Sequence, residues 1–206
     1  SLVGSEMCIR DSFERYWELP TLAMFEDTQA DFNLQDTTYQ TIKYYAVISS
    51  IQSQDHPRSI KLLKKLTSEP YIQNSTYKES DVYELLTSEY QQIDDSVAYV
   101  NALLEGAQKF PKNKYFTPNL INEYIRGGKT TEAIAYLDQA IVNDPTNTCD
   151  LMSVKASLYS EQKDYAQAEP AYQTALNADA NCERALEGLG VLYVLQLSLI
   201  HISEPT

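Results

Sequence analysis

Basic residues, histidines and long apolar runs are all scarce in this sequence of 206 residues. Lysine and arginine together number 16 against 29 aspartates and glutamates, which gives a formal net charge of −13 at pH 7. An acidic surface repels phosphate backbones and anionic lipids, so nucleic acids and membrane surfaces are poor candidate partners. No run approaches the roughly 18 apolar residues that a transmembrane helix needs, so we expect no direct membrane insertion.

Cysteine is also rare. Cys8, Cys149 and Cys182 form no C-x-x-C motif, and no histidine lies near the last two. Such spacing indicates neither a zinc site nor a disulfide framework. We therefore expect Cys149 and Cys182 to be free thiols, and the sequence leaves the redox compartment open.

Motifs of enzymes are missing as well. The sequence contains no G-x-S-x-G, P-loop, H-E-x-x-H or EF-hand spacing. His56 precedes Pro57 at an expected helix start, and no acid–base partner for it can be identified. The segment 127–131 (GGKTT) resembles only part of a phosphate loop and lies at an expected turn. We interpret the chain as a non-enzyme with no catalytic residue, cofactor or metal.

What the sequence does contain is an internal repeat. Residues of the same or similar type recur 34 or 35 positions later in consecutive segments of the chain. The recurring pairs are Leu86 and Leu120, Tyr90 and Tyr124, Leu103 and Leu137, Pro111 and Pro145, Tyr124 and Tyr159, Ala133 and Ala168, and Tyr159 and Tyr193. A fixed period of this length is typical of proteins in which small helical units stack on one another.

The repeat resembles the tetratricopeptide repeat, which runs W-x2-L-G-x2-Y, then A-x3-F, then a proline. Residues 186–193 match the first part with leucine in place of tryptophan, and residues 133–137 and 168–172 match the second. The resemblance covers about 80–196 strongly and 39–68 weakly. It departs from the family pattern at Tyr99, Lys155 and Ala180.

The resemblance implies an all-α fold, a right-handed α-solenoid of antiparallel helix pairs. The helix boundaries are predicted from start signals: Asp94 and Asp164 as N-caps, and Asp55 or His56 before Pro57. The break at Gly127-Gly128 separates two paired helices. The predicted helices are 39–53, 57–67, 79–92, 95–109, 117–126, 130–143, 149–162, 165–178 and 183–196. The predicted units are 13–38 (the end of an earlier repeat and an acidic connector), 39–79 (a divergent helix pair and loop), 80–113, 114–148, 149–182 and 183–196 (the first helix of a truncated unit).

Both ends differ from the middle. Residues 1–12 and 197–206 resemble translated sequencing-adapter read-through, and we expect them to be non-native tails on a metagenomic fragment. The sequence between them resembles proteins of gut bacteria of the Bacteroidetes type, which favours a periplasmic or envelope location over the cytoplasm. Because helix 183–196 lacks its partner helix, we expect the chain to self-associate through this end.

Pro170 conflicts with its context. It falls well inside the predicted helix 165–178, where a proline removes a backbone donor and costs ~3 kcal/mol. We predict a kink or a lost hydrogen bond at residues 166–170 rather than a new helix start.

The resemblance implies a scaffold for protein–protein interaction that binds a partner segment in its concave groove. In this family the first helix of each unit lines that groove. The corresponding candidates here are Glu84, Ser88, Tyr115, Asn122, Arg126, Ser153 and Ser157. The acidic neighbours Asp81 and Glu161 favour a neutral or basic partner, protein or peptide. Two alternatives stay open: a carbohydrate-binding cell-envelope protein, and the helper domain of a larger, truncated enzyme.

Overall fold

The computed structural model describes residues 11–22, 24, 36–74 and 76–203. Within these residues the chain forms ten α-helices and no strand, so the predicted all-α solenoid class is confirmed. The helices are α1 (11–18), α2 (Thr37–Gln52), α3 (His56–Ser68), α4 (Glu79–Gln92), α5 (Ser96–Lys109), α6 (Phe116–Arg126), α7 (Thr130–Asn143), α8 (Thr148–Glu161), α9 (Tyr165–Ala178) and α10 (Glu183–Ser203). In the described part of the chain, no helix is long and apolar enough to cross a bilayer.

The predicted helices agree with the observed ones to within two residues at every end but one. The exception is α10, which continues past residue 196 to Ser203. Residues 197–203 contain neither glycine nor proline, and the first proline to follow is Pro205, so nothing in this stretch stops the helix. The adapter-like origin of the two tails stays a prediction. Residues 1–10, 204–206 and most of the acidic connector lie outside the described residues.

The turn inside each helix pair repeats the same backbone geometry. One residue adopts the left-handed conformation at each turn: Gln54 (φ 57°), Asp94 (φ 56°), Gly128 (φ 68°) and Lys163 (φ 61°). The next residue is the helix N-cap, and in three of these turns it is an aspartate whose side chain accepts a backbone N–H. The prediction of Asp94 as an N-cap is therefore wrong. Asp94 takes the left-handed position, and Asp95 Oδ1 accepts from the Ala98 N–H at 3.0 Å.

The chain divides into two compact units, residues 1–110 and 111–206. In the first unit, the side chain of Trp17 on α1 is only 2% exposed. Its indole Nε1 donates to Glu69 Oε1 at 3.0 Å, and the Lys65 ammonium lies 4.5 Å from the centre of its ring. Tyr39 on α2 donates its hydroxyl to the Trp17 carbonyl at 2.7 Å. These contacts fix α1 against α2 and α3.

In the second unit, small residues on one helix pack against larger residues on its neighbours. Ala133, Leu137 and Ala140 of α7 form one buried cluster with residues of α6 and α8. A second cluster joins α8, α9 and α10 through residues such as Ala168 and Tyr172. Leu137 is fully buried and Tyr124 is half-buried against the first cluster, as the repeat frame requires, while the boundaries of the predicted units stay a prediction.

Cys149 and Cys182 form a disulfide, so the expectation of free thiols is wrong. Cys149 lies in the first turn of α8, and Cys182 immediately precedes α10. The two residues are 33 apart, close to one repeat length. Stacking of successive units therefore brings equivalent positions together, which the cysteine spacing by itself did not reveal.

Pro170 lies inside α9, which runs unbroken from Tyr165 to Ala178. The prediction that no new helix starts there is confirmed. Because proline has no N–H, the carbonyl of Ala166 lacks its usual helical donor. The Thr174 hydroxyl donates to the Pro170 carbonyl at 2.8 Å within the same helix.

Candidate functional site

A groove of about 600 Å³ runs along the second unit. It is lined by α8 and α10, the first helices of consecutive pairs, with further contributions from α6 and α9. Its floor includes Leu158 and Leu192, which are 2% and 1% exposed. Ile125, Val191 and Leu195 stand along its sides and are 37%, 59% and 40% exposed. The groove therefore offers an accessible apolar interior.

Polar side chains from α8 and α10 also line the groove. Ser157, Ser160 and Glu161 come from α8, and Arg184 and Glu187 come from α10. Both glutamates and the arginine are exposed. Arg184 Nη1 lies 4.0 Å from Asp150 Oδ1, and both side chains are more than half exposed, so this ion pair contributes little. The groove consequently presents carboxylates and one guanidinium to a bound ligand.

A close approach between α9 and α10 shapes the groove. A Cβ atom added to Gly188 would lie 2.4 Å from Cε1 of Tyr172. Only glycine leaves room for the tyrosine ring at this point, and the ring is 4% exposed while lining the groove. The Tyr172 ring therefore packs directly against the backbone of α10 at Gly188, and both residues line the groove.

The disulfide lies next to one of the groove residues. It joins the N-terminal ends of α8 and α10 with a Cα–Cα distance of 5.9 Å. Ser153 donates its hydroxyl to the Cys149 carbonyl at 2.7 Å and lies 3.5 Å from Cys182 Sγ. The two helices that form most of the groove are thus covalently linked at one end.

The structure brings together only part of the set predicted from the sequence. Ser153 and Ser157 line the groove, but Ser153 is fully buried and offers no accessible surface to a partner. Asn122 and Arg126 are exposed on α6, and Arg126 Nη1 pairs with Glu123 Oε1 at 3.1 Å. Tyr115 is the N-cap of α6 rather than a residue inside it, and its half-buried ring packs edge-on against Phe116 at 5.3 Å.

Glu84 and Ser88 lie on α4 in the first unit, where both are half-buried. The groove in the second unit therefore does not include them. They remain candidates for a separate surface on the first unit.

The residues that sequence reasoning missed are mainly those of α10. Arg184, Glu187, Val191 and Leu195 all line the groove, although α10 was treated only as an unpaired helix. The repeat period itself contained the signal. Position 191 lies 34 residues after Ser157, and position 195 lies 34 residues after Glu161.

Comparison with known proteins points to the same architecture. Residues 150–182 match the family model described as the tetratricopeptide repeat. No curated protein sequence matches the chain. A tetratricopeptide repeat protein from Parabacteroides merdae ATCC 43184 is 16% identical, with a TM-score of 0.52 over 73% of this chain and 57% of that one. At this identity the likeness shows the fold alone.

Two further solved structures give lower scores. MamA (AMB-1) is 16% identical with a TM-score of 0.48, covering 78% of this chain and 84% of that one. YrrB, described as a tetratricopeptide-repeat protein with an unusual peptide-binding site, is 12% identical with a TM-score of 0.47. That alignment covers 92% of this chain and 87% of YrrB. The matched repeat, residues 150–182, covers α8 from its third residue and all of α9.

Proposed function

We propose that the second unit is a protein-interaction module that holds a segment of a partner protein in the groove between α8 and α10 and catalyses no reaction. The observation that supports this proposal is the groove itself, about 600 Å³ in volume, with an apolar interior and polar groups beside it. Binding sites for extended segments commonly combine apolar pockets with a few polar groups that fix orientation.

The apolar interior determines what the partner must supply. Val191, Leu195 and Ile125 are accessible and face the same space as the buried Leu158 and Leu192. A leucine- or phenylalanine-sized side chain that leaves water for this space gains roughly 1.5–3 kcal/mol. We therefore expect at least one large apolar residue in the bound segment.

The polar groups determine charge and orientation. Glu161 and Glu187 are exposed at the groove and attract a lysine or arginine next to the apolar residue. The hydroxyl of Ser157 can exchange hydrogen bonds with the backbone of an extended segment. The net charge of −13 on the whole chain favours the same kind of partner, a neutral or basic segment.

The test is selection of short random peptides displayed on phage against the purified chain. We expect enrichment of sequences that combine a large apolar residue with a neighbouring lysine or arginine. Ser157→Trp should abolish capture of the selected peptides, because the indole fills the groove. Val191→Glu should weaken capture by placing a charge against the apolar side chain.

Val142→Glu is the matched control, because Val142 is a 77% exposed valine on α7 that does not line the groove. It should leave capture unchanged, with helicity of all variants checked by circular dichroism. If Ser157→Trp retains the selected peptides, the groove is not the binding site. Loss of binding in Tyr115→Ala/Arg126→Glu alone would move the site to α6, which carries the sequence candidates Tyr115 and Arg126.

The alternative of a carbohydrate-binding surface gains no support from the single tryptophan. Trp17 is 2% exposed and hydrogen-bonded to Glu69, so it offers no open indole face to a sugar.

Among the described residues, no group of three or more potential metal ligands of the His, Cys, Asp and Glu types comes together. A helper role in a larger enzyme is compatible with the same groove.

A further inference from the structure

The floor of the groove carries a hydroxyl group that makes no hydrogen bond to any described residue. It belongs to Tyr172 of α9, which is 4% exposed and lines the groove together with the buried Leu158 and Leu192. A buried hydroxyl without a partner is unfavourable, because it has given up its hydrogen bonds to water and gained none in the protein. In a binding groove, such a group indicates that the ligand supplies the missing hydrogen bond.

The hydroxyl end of the Tyr172 ring lies beside the backbone of α10. A Cβ atom added to Gly188 would lie 2.5 Å from both Cζ and the hydroxyl oxygen of Tyr172. Gly188 itself lines the groove. The polar tip of the ring is therefore next to a part of α10 that faces the groove.

The preceding repeat indicates that packing alone does not require this hydroxyl. The residue 35 positions before Tyr172 is Leu137, which is fully buried and has no polar side-chain atom. The residue 34 positions before Gly188 is Val154, which packs against the cluster that contains Leu137. A leucine and a valine in one repeat are thus replaced by a tyrosine and a glycine in the next. The glycine leaves the space into which the longer tyrosine side chain extends.

We propose that Tyr172 is a specificity-determining residue of the groove and that its hydroxyl exchanges a hydrogen bond with a tyrosine side chain of the bound segment. This inference rests on the proposed function, because it names the large residue that the groove holds. The apolar sides of the groove contact the ring of that tyrosine, and the hydroxyl of Tyr172 pairs with its tip.

Tyrosine suits the groove better than other residues with a polar tip. Its ring buries apolar area against Ile125, Val191 and Leu195, and its single hydroxyl matches the single hydroxyl of Tyr172. A glutamine or asparagine amide has two donors and an acceptor, which an apolar interior would leave partly unpaired. Serine and threonine carry little apolar surface, and phenylalanine would leave the hydroxyl of Tyr172 without a partner.

Binding of matched peptides tests the inference. Peptides selected on the purified chain should carry a tyrosine at the anchor position. Its replacement by phenylalanine should raise the dissociation constant about tenfold, which corresponds to about 1.4 kcal/mol. Tyr172→Phe should bind the tyrosine peptide about tenfold more weakly than the wild type does, and it should no longer prefer tyrosine over phenylalanine. Isothermal titration calorimetry gives the four dissociation constants of this double-mutant cycle.

Tyr159→Phe is the matched control, because Tyr159 packs against the same cluster but does not line the groove. This variant should keep the tenfold preference for the tyrosine peptide. Selected peptides without a tyrosine anchor, or a preference for tyrosine that survives in Tyr172→Phe, would overturn the inference.

Urea denaturation without peptide tests the premise that the hydroxyl has no partner in the chain. Tyr172→Phe should keep or raise the urea midpoint, because it removes a buried hydroxyl that makes no hydrogen bond. A lower midpoint would show that the hydroxyl is bonded inside the chain, and the inference would then be wrong.

The groove itself is tested separately by Ser157→Trp. If this variant retains the selected peptides, the groove is not the binding site, and both the proposed function and the role of Tyr172 are contradicted. If Ser157→Trp loses the peptides while Tyr172→Phe binds them as the wild type does, only the role of Tyr172 is contradicted.

Discussion

Two glycines of α10 that lie two residues apart should respond differently to the same substitution. In Gly188→Ala the new Cβ would lie 2.4 Å from Cε1 and 2.5 Å from Cζ of Tyr172. In Gly190→Ala it would have no neighbour within 4 Å. Both changes add an alanine to the interior of one helix, so the intrinsic gain in helix propensity is the same, about 1 kcal/mol.

The structure determines the difference. Tyr172 is 4% exposed and packs in the cluster of α8, α9 and α10, so its ring must be displaced to admit the methyl group. Overpacking of this kind costs about 1–3 kcal/mol. We therefore expect Gly190→Ala to raise the free energy of unfolding by about 1 kcal/mol. The free energy of unfolding of Gly188→Ala should be about 1–3 kcal/mol lower than that of Gly190→Ala.

Urea denaturation followed by circular dichroism measures both values, at dilutions where each variant is shown to be monomeric. The slope of unfolding free energy against urea should be the same for both variants if only the folded state changes. Equal stabilisation by the two substitutions would show that Tyr172 does not pack against Gly188. The shape assigned to the groove beside α10 would then be wrong.

Three further perturbations follow from the same structure. Pro170→Ala should raise the free energy of unfolding by up to about 3 kcal/mol in urea titrations, because an N–H becomes available to the Ala166 carbonyl. Unchanged stability would show that the proline is accommodated without cost. Reducing the Cys149–Cys182 disulfide, which spans 33 residues, should lower the free energy of unfolding by about 3–4 kcal/mol, whereas a Cys149→Ser/Cys182→Ser variant should not respond to reductant. Burial, with a smaller contribution from Glu69, raises the pKa of Tyr39 to about 12. The unfolded chain therefore loses this proton first, and the free energy of unfolding should fall by about 2 kcal/mol as pH rises from 10 to 12. A Tyr39→Phe variant that keeps the same pH dependence would refute this origin.

The candidate site was only partly accessible to sequence reasoning. The placement of Ser157 at the groove followed from the repeat frame, because equivalent positions of successive first helices share one face. Ser153 was assigned to the same face, yet it is fully buried beside the disulfide. Tyr115 was assigned to the groove-lining helix of its repeat, but it is the N-cap of α6 and its ring packs against Phe116. Errors of a single residue turn a side chain by about 100°, which is enough to change its surroundings.

The sequence by itself determined the helices, their pairing and the turns between them. These features depend on local interactions: Asp55, Asp95 and Asp164 cap the helices that follow them, Gly128 adopts a left-handed turn, and apolar residues recur once per repeat. The tertiary structure decided which residues of successive repeats contact one another. It joins Cys149 to Cys182 and places Val191 and Leu195 beside α8 residues to form the groove. These outcomes depend on the distance and rotation between one repeat and the next. Side-chain packing between successive repeats sets both quantities, as in the contact between Tyr172 and Gly188, and no local sequence pattern does so.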